Sequence, residues 1–392
     1  MEFFGVTRIV VGRGEAKGVG AMARALGGRA LLVHAGEVAA GSAGGAVRAS
    51  LEEAGVAVVA VRQRGEPTVD DVDGAARTGR AAGCDVVVGV GGGSAIDAAK
   101  AVAGLLTNGG EATDYMEVVG KGQKITRPAA PWLAVSTTGG TGAEVTRNAV
   151  VALPERQFKA SIRSEHLLPR AAVIDPELHV NIPPAVTAAS GMDALCQCVE
   201  AYTSTGANAL TDPLALRGVV LAARSLRRAV ADGRDLDARE EMALAALFSG
   251  IALTNAGLGA VHGLAAPLGA NFPVPHGVVC AALLPHVVAA NIAALRSAGG
   301  DHPTLRRYAE VGRALAGSAV ISDDVALEAC AAIPASMAKT LNIPALLAYG
   351  ITNAHVITMV DLARKASSMR YNPIVLADDA LAAVLSAGIR GG

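Results

Sequence analysis

Aromatic side chains are scarce in this chain, with five Phe, five Tyr and one Trp among 392 residues. So few rings point to no particular class of ligand. Charge is equally sparse: Asp, Glu, Lys and Arg make up 18% of the chain and nearly cancel, leaving a formal net charge of -1. Nothing in that balance suggests a surface for nucleic acid or for an acidic partner, and neither is expected. Cysteine is limited to Cys84, Cys196, Cys198, Cys280 and Cys330. The number is odd, the positions are scattered in apolar sequence, and Cys196-Gln-Cys198 has neither C-x-x-C nor metal-finger spacing. Reduced core thiols are therefore expected rather than disulfides. The opening Met1-Glu-Phe-Phe-Gly-Val-Thr-Arg-Ile-Val-Val11 places an acid where a secretion signal requires basic residues, so the segment reads as a first strand and a cytoplasmic location is expected. There is no internal repeat and no low-complexity linker.

What is plentiful is apolar sequence, at 52% of residues. The best membrane-spanning candidate, Gly277 to Leu295, contains Pro285, His286 and Asn291 and has a basic residue, Arg296, at one end only. A buried helix of a helical domain is the better reading, with no membrane partner. The length exceeds what one core normally organises, which predicts two domains. Strand-like segments Arg29–His34, Val56–Val61, Cys84–Val90 and Trp132–Ser136 alternate with helical ones. This alternation predicts a Rossmann-like, mostly parallel, doubly wound sheet with ligands outside the carboxyl ends of its strands. After Asn181-Ile-Pro-Pro184 the remaining sequence reads as Ala/Leu-rich helices, over 185–204, 212–232, 237–258, 277–298, 303–316, 322–333 and 355–367. The expected architecture is an α/β domain over 1–181 and an all-α domain over 182–392, with the site in the cleft between them.

Three constellations could carry chemistry. Gly89-Val-Gly-Gly-Gly-Ser-Ala-Ile-Asp-Ala-Ala-Lys100 puts glycines between an apolar strand and a helix start, where free backbone N–H groups and the helix dipole suit a phosphate. It lacks the usual G-x-G-x-x-G pattern, and a glycine-rich structural turn is the alternative reading. Ser136-Thr-Thr-Gly-Gly-Thr-Gly-Ala-Glu-Val-Thr146 gathers hydroxyls and glycines after a strand, and can donate hydrogen bonds to phosphate or ribose without adding charge. Finally, Asp193 and Gln197 share one helix face, and His262 and His276 each sit beside Gly in apolar surroundings. A carboxylate with two imidazoles is a suitable set for Fe2+ or Zn2+, against the alternative of unconnected core polar groups. His286 follows a proline and is given no role.

Taken together, these segments resemble the iron-containing alcohol dehydrogenases, also called group III alcohol dehydrogenases, whose architecture is like that of dehydroquinate synthase. The resemblance rests on Gly91 to Lys100, Ser136 to Thr146, Ile174-Asp-Pro176, Gly191-Met-Asp-Ala-Leu195, His262-Gly, Pro275-His-Gly277 and Tyr371-Asn-Pro373. It implies NAD or NADP as cofactor and a divalent metal, Fe2+ first and Zn2+ second. Gly91, Gly92, Gly93 and Ser94 would take the pyrophosphate. Asp97 would lie near the nicotinamide end, Thr137 and Thr138 would line the cofactor, and Lys159 would contact its ribose. Asp193, His262 and His276 would be the catalytic metal ligands, with Gln197 in the place of the family's fourth ligand, a histidine. A small alcohol or aldehyde substrate and a homodimer are implied as well.

Gln197 is a neutral and weaker donor than imidazole, so weak metal binding or loss of the metal is expected. Ala266 stands where the family often has a proton-relay histidine. His34-Ala-Gly-Glu37 lacks the acid that selects NAD at the end of the second strand, which leaves NADP open. A metal-free reductase resembling maleylacetate reductase, a lyase or cyclase resembling dehydroquinate synthase, and a non-catalytic binding protein are the rival readings.

Overall fold

The computed structural model describes residues 2–299 and 302–391. The chain divides into two compact units, Met1–Asn181 and Ile182–Gly392. In chain order the first holds β1 (Ile9–Val11), α1 (Val19–Arg24), β2 (Arg29–His34), α2 (Ala43–Glu53), β3 (Ala57–Arg62), α3 (Val69–Ala81), β4 (Val86–Gly91), α4 (Gly93–Asn108), α5 (Ala112–Tyr115), β5 (Trp132–Ser136), β6 (Asn148–Leu153), β7 (Phe158–Arg163) and β8 (Ala171–Ile174).

Six of these strands form one parallel sheet in the order β1-β8-β5-β4-β2-β3. Successive side chains of a strand face opposite ways. Leu31, Val33 and Val87 pack with Val72, Ala76, Ile96 and Val102 of α3 and α4, while Ala30, Leu32, Val86 and Val88 pack with Val19, Val47 and Leu51 of α1 and α2. Both faces are thus covered, which is why β4 reads as an unbroken apolar run. The first strand is shorter than expected, only Ile9–Val11. One feature departs from the expected strand-helix alternation: β6 and β7 form an antiparallel pair, reversed through Pro154–Arg156 and Gln157, whose φ is 48°.

Lys100, on α4, ties that hairpin to the sheet. Its ammonium is fully buried and lies 3.2 Å from Asp97 Oδ1, 2.7 Å from Thr146 Oγ1, 2.9 Å from the Ala143 carbonyl and 2.6 Å from the Asn148 carbonyl. The second Asp97 oxygen accepts the Val150 N–H. A buried cation is tolerable only when it is paired and hydrogen-bonded in this way.

The second unit contains α6 (Pro184–Thr203), α7 (Asp212–Ala231), α8 (Leu236–Ala256), α9 (Ala260–Asn271), α10 (His276–Ser297), α11 (Pro303–Ala316), α12 (Asp323–Thr340), α13 (Val356–Ala363) and α14 (Asp378–Arg390). Among the described residues it has helices and no strand. The helices α9 and α14 were not foreseen. By length and composition α10 could cross a membrane. In the fold it is a core helix, packed against α6, α9, α12 and α14 with Val279, Leu283, Leu284 and Leu295 buried.

Glu144, near the end of the threonine-rich loop, is buried close to Lys100. Burial pushes its carboxyl up from 4.5 to about 7, against the opposing pull of Lys100. Because the folded value is the higher one, stability present below pH 4.5 is lost as pH rises through 7. At roughly 1.4 kcal/mol per pKa unit, this amounts to about 3 kcal/mol by pH 8. Glu144→Gln should gain in melting temperature over wild type more at pH 8 than at pH 5. An equal difference at both pH values would show that the carboxyl ionises as freely folded as unfolded.

Candidate functional site

The glycine-rich segment lies at the carboxyl end of β4. Gly91 ends the strand, Gly92 caps α4 without a side-chain hydrogen bond, and Gly93 opens the helix. The threonine-rich loop packs directly on this turn. A Cβ on Gly92 would lie 3.1 Å from the Thr138 side chain, one on Gly93 would lie 2.8 Å from Thr141 Oγ1, and the Thr137 N–H donates to the Gly91 carbonyl. Gly92 to Ala95, with Ala35, Gln63 and Gly65, line a concavity of about 250 Å³. The first turn of α4 thus presents backbone amides to a hollow that can take a phosphate group. At the end of β2, Glu37 pairs with Arg62 at 2.7 Å, beside Ala35.

Asp97 and Lys159, which the resemblance implies near the nicotinamide end and the ribose, both have protein partners. Both Asp97 oxygens are taken by Lys100 and the Val150 N–H, and the Lys159 ammonium pairs with Glu66. Each holds part of the β6–β7 hairpin.

In the helical unit, three helices bring four donor groups together. Asp193 comes from the middle of α6, His262 from the first turn of α9, and His276 and Cys280 from the first turns of α10. One ligand atom from each lies within 4.8 Å of all the others. Gly277 makes this possible, because a Cβ there would lie 2.2 Å from the Ala189 carbonyl; only glycine lets α10 approach α6 so closely. Asp193 Oδ1 is 3.3 Å from His262 Nε2 and 3.6 Å from His276 Nε2, and it is buried without a hydrogen bond. Cys280 Sγ is 3.8 Å from His262 Nε2 and 3.6 Å from His276 Nε2. An orphaned carboxylate oxygen facing two imidazoles fits a cation better than it fits a closed hydrogen-bond network.

Surrounding groups fix these donors. Glu200 Oε2 is 2.6 Å from His262 Nδ1, and Oε1 accepts the Val261 N–H. One carboxylate therefore orients the imidazole, leaving Nε2 to face the cluster, and caps α9 at its positive end. Gln197 Nε2 donates to Asp193 Oδ2 at 3.2 Å, and Gln197 Oε1 accepts from Ser249 Oγ at 2.7 Å. Burial opposes charge on His276, yet Cys280 and Asp193 outweigh it and hold its pKa up at about 9. His262 is likewise raised despite its burial. Burial also opposes the Asp193 charge, but His276 and His262 keep its carboxyl below the usual range.

The sequence pattern placed Asp193, Gln197, His262 and His276 in one set. The structure gathers all four, but the only Gln197 atom able to bind a cation is engaged by Ser249. Sequence reasoning missed Cys280 and Glu200. Helical spacing was the available signal: Cys280 is four residues after His276, and Glu200 is seven after Asp193. The five cysteines are free, and four of them are buried.

Known proteins agree with this construction along the whole chain. Residues 6–176 match the iron-containing alcohol dehydrogenase family model, and residues 187–389 match that of the Fe-containing alcohol dehydrogenase family, C-terminal. The 1,3-propanediol dehydrogenase of Klebsiella pneumoniae is 38% identical over 380 residues, covering 95% of this chain and 93% of that protein. Alcohol dehydrogenase 4 of Saccharomyces cerevisiae (strain YJM789) is 42% identical over 265 residues, covering 67% and 68% respectively. A solved 1,3-propanediol oxidoreductase superposes with a TM-score of 0.91 at 33% identity, covering 99% of each chain. With sequence and fold agreeing over both units, the chain belongs to the iron-containing alcohol dehydrogenase family.

Proposed function

We propose that this alcohol dehydrogenase transfers a hydride between NAD or NADP and a small alcohol or its aldehyde or ketone, with a divalent cation held by Asp193, His262 and His276. The observation that carries the reading is the buried Asp193 Oδ1, which has no hydrogen bond and faces two imidazole nitrogens. A fold alone does not specify a reaction. Here the site residues and the family point the same way. A small alcohol is favoured by relatives named for such substrates, including the NAD-dependent methanol dehydrogenase of Bacillus methanolicus, 36% identical over 294 residues.

A bound divalent cation would supply Lewis acidity toward the substrate oxygen. A nicotinamide would supply the hydride donor or acceptor. The protein's part is to hold and orient. Gly92, Gly93 and Ser94 offer the α4 amides to the pyrophosphate, and Thr137 and Thr138 wall that turn. Asp97 and Lys159 support this wall from the hairpin side. Glu200 fixes the His262 tautomer, and Gln197 holds Asp193 Oδ2 so that Oδ1 faces the imidazoles. Ala266 offers no titratable group at the relay position and is exposed, so water serves for proton exchange there. Glu37 and Arg62, one acid and one base beside Ala35, favour use of both nicotinamides.

Gly92 has φ -79°, which any residue adopts, so Gly92→Val should fold normally while its side chain crowds Thr138 at the phosphate turn. NADH and NADPH affinity should fall about tenfold or more, roughly 1.4 kcal/mol, with little change in melting temperature. Fluorescence titration of both cofactors measures this, and unchanged affinity in the folded variant removes the loop from the cofactor site.

A glutamine at position 200 can satisfy the Val261 N–H or His262 Nδ1–H, but not both as a carboxylate does. Glu200→Gln should weaken Zn2+ or Fe2+ binding about 10- to 100-fold in chelator competition, as removal of an imidazole's carboxylate partner does elsewhere. If wild type carries no metal after mild dialysis, reduces aldehydes at full rate, and matches the variant, the metal-free reductase is the better reading.

A further inference from the structure

We propose that Cys280, not Gln197, is the fourth protein ligand, so that the cation is held by one carboxylate, two imidazoles and one thiolate. The inference rests on the reading that a cation occupies this site. It departs from the ligand set implied by family resemblance, which assigns the fourth position to the α6 residue one turn after Asp193.

Geometry is the first argument. Zinc bonds of about 2.3 Å to sulfur and about 2.0–2.1 Å to nitrogen and oxygen, arranged tetrahedrally, put sulfur and nitrogen about 3.6 Å apart and oxygen and nitrogen about 3.3 Å apart. Cys280 Sγ lies 3.6 and 3.8 Å from the two imidazole nitrogens, and Asp193 Oδ1 lies 3.3 and 3.6 Å from them. Four of the six edges thus match a zinc-sized donor set, all four ligand atoms lie within 4.8 Å of one another, and a substrate oxygen would join as a fifth ligand.

The second argument is that Gln197 is committed elsewhere. Its Oε1 accepts from Ser249 and its N–H holds Asp193 Oδ2. Turning the amide to free the oxygen would set it against the Asp193 carboxylate, an arrangement of two acceptors with no proton between them. Gln197 is therefore a positioning residue.

Charge and access supply the third. A dication facing Asp193 and a Cys280 thiolate is neutralised within a buried site, where uncompensated charge is costly. The thiol proton leaves to solvent as the metal binds. The His276 side chain is 39% exposed while those of Asp193 and His262 are nearly covered, so the cation can enter from the His276 side. Spacing completes the case: His276 and Cys280 are one turn apart on α10, so both donors project from one helix face.

Co2+, a spectroscopic substitute for Zn2+, tests this on the full chain. Wild type should take up one Co2+ and show both ligand-field bands and a near-ultraviolet sulfur-to-cobalt charge-transfer band. Cys280→Ser should lose the charge-transfer band; Cys196→Ser and Gln197→Ala should keep it. Because Cys280→Ser could fail to fold, X-ray absorption of Zn2+-loaded wild type gives a second reading, with one sulfur expected at about 2.3 Å. Co2+ uptake with ligand-field bands alone, a zinc shell of nitrogen and oxygen only, or loss of the sulfur band in Cys196→Ser instead would overturn the Cys280 assignment and leave the cation reading standing. No uptake of Co2+ or Zn2+ by wild type would overturn both.

Discussion

The helical unit is organised around one carboxylate with two different obligations. Asp193 sits in the middle of α6, nearly inaccessible, where an unpaired charge would cost several kcal/mol. Oδ2 is committed to the Gln197 amide and Oδ1 is left facing His262 and His276. Neighbouring features serve this division. Gly277 lets α10 come against α6, Ser249 fixes Gln197 from α8, and Glu200 fixes both His262 and the start of α9 that carries it. Four helices thus meet around a small set of hydrogen bonds, whose directions are set by which atoms can donate.

The α/β unit solves a comparable problem with the opposite sign. Lys100 is the buried charge there, and its acceptors come from Asp97 and from the chain between Ala143 and Asn148. This segment runs from the end of the threonine-rich loop into β6, and the same loop packs against Gly92 and Gly93. A fully buried cation inside the unit therefore fixes the wall of the glycine turn without itself reaching the surface. In the sequence, Asp97 and Lys100 strengthened the phosphate-loop reading through their helical spacing. That spacing is real, and in the structure it joins the two residues to each other and to the hairpin.

Much of the fold was legible because the signal was local. The strands β2, β4 and β5 are short apolar runs bounded by polar or glycine residues, and the long helices have uninterrupted periods, so their positions follow from burial on one face or two. The β6–β7 hairpin was harder to see. It alternates buried and exposed residues within an otherwise parallel domain and turns through Pro-Glu-Arg-Gln rather than through a glycine pair. The α9 helix is short and interrupted by Gly263 and Pro267, which read as breaks. Site residues were legible where their chemistry was unusual for their surroundings, as with Asp193, His262 and His276. Glu200 was harder to see: its spacing puts it on the Asp193 face of α6, but the partner that defines its task lies 62 residues away on another helix. Cys280 was hidden for a different reason. A thiol in apolar sequence is an ordinary core residue, and only the arrival of two imidazoles from α9 and α10 changes what it can do.

A polar substitution at a ligand position has a different meaning when its neighbours are known. Read alone, Gln197 is a weakened ligand. In the fold, α6 and α10 each carry a pair of residues one turn apart, Asp193 with Gln197 and His276 with Cys280, and Asp193, His276 and Cys280 converge with His262 while Gln197 lies against Asp193. Gln197 turns its N–H to Asp193 and its oxygen to Ser249, so the oxygen that could bind a cation already has a partner. Chemistry divides the work between the helices: an amide, which both donates and accepts, suits the carboxylate and Ser249, while a thiol, once deprotonated, suits a metal and little else in this environment. The pair on α6 then sets the direction of the carboxylate. On the proposed assignment the pair on α10 would complete the donor set, keeping four protein ligands although the residue expected to supply the fourth has taken another task.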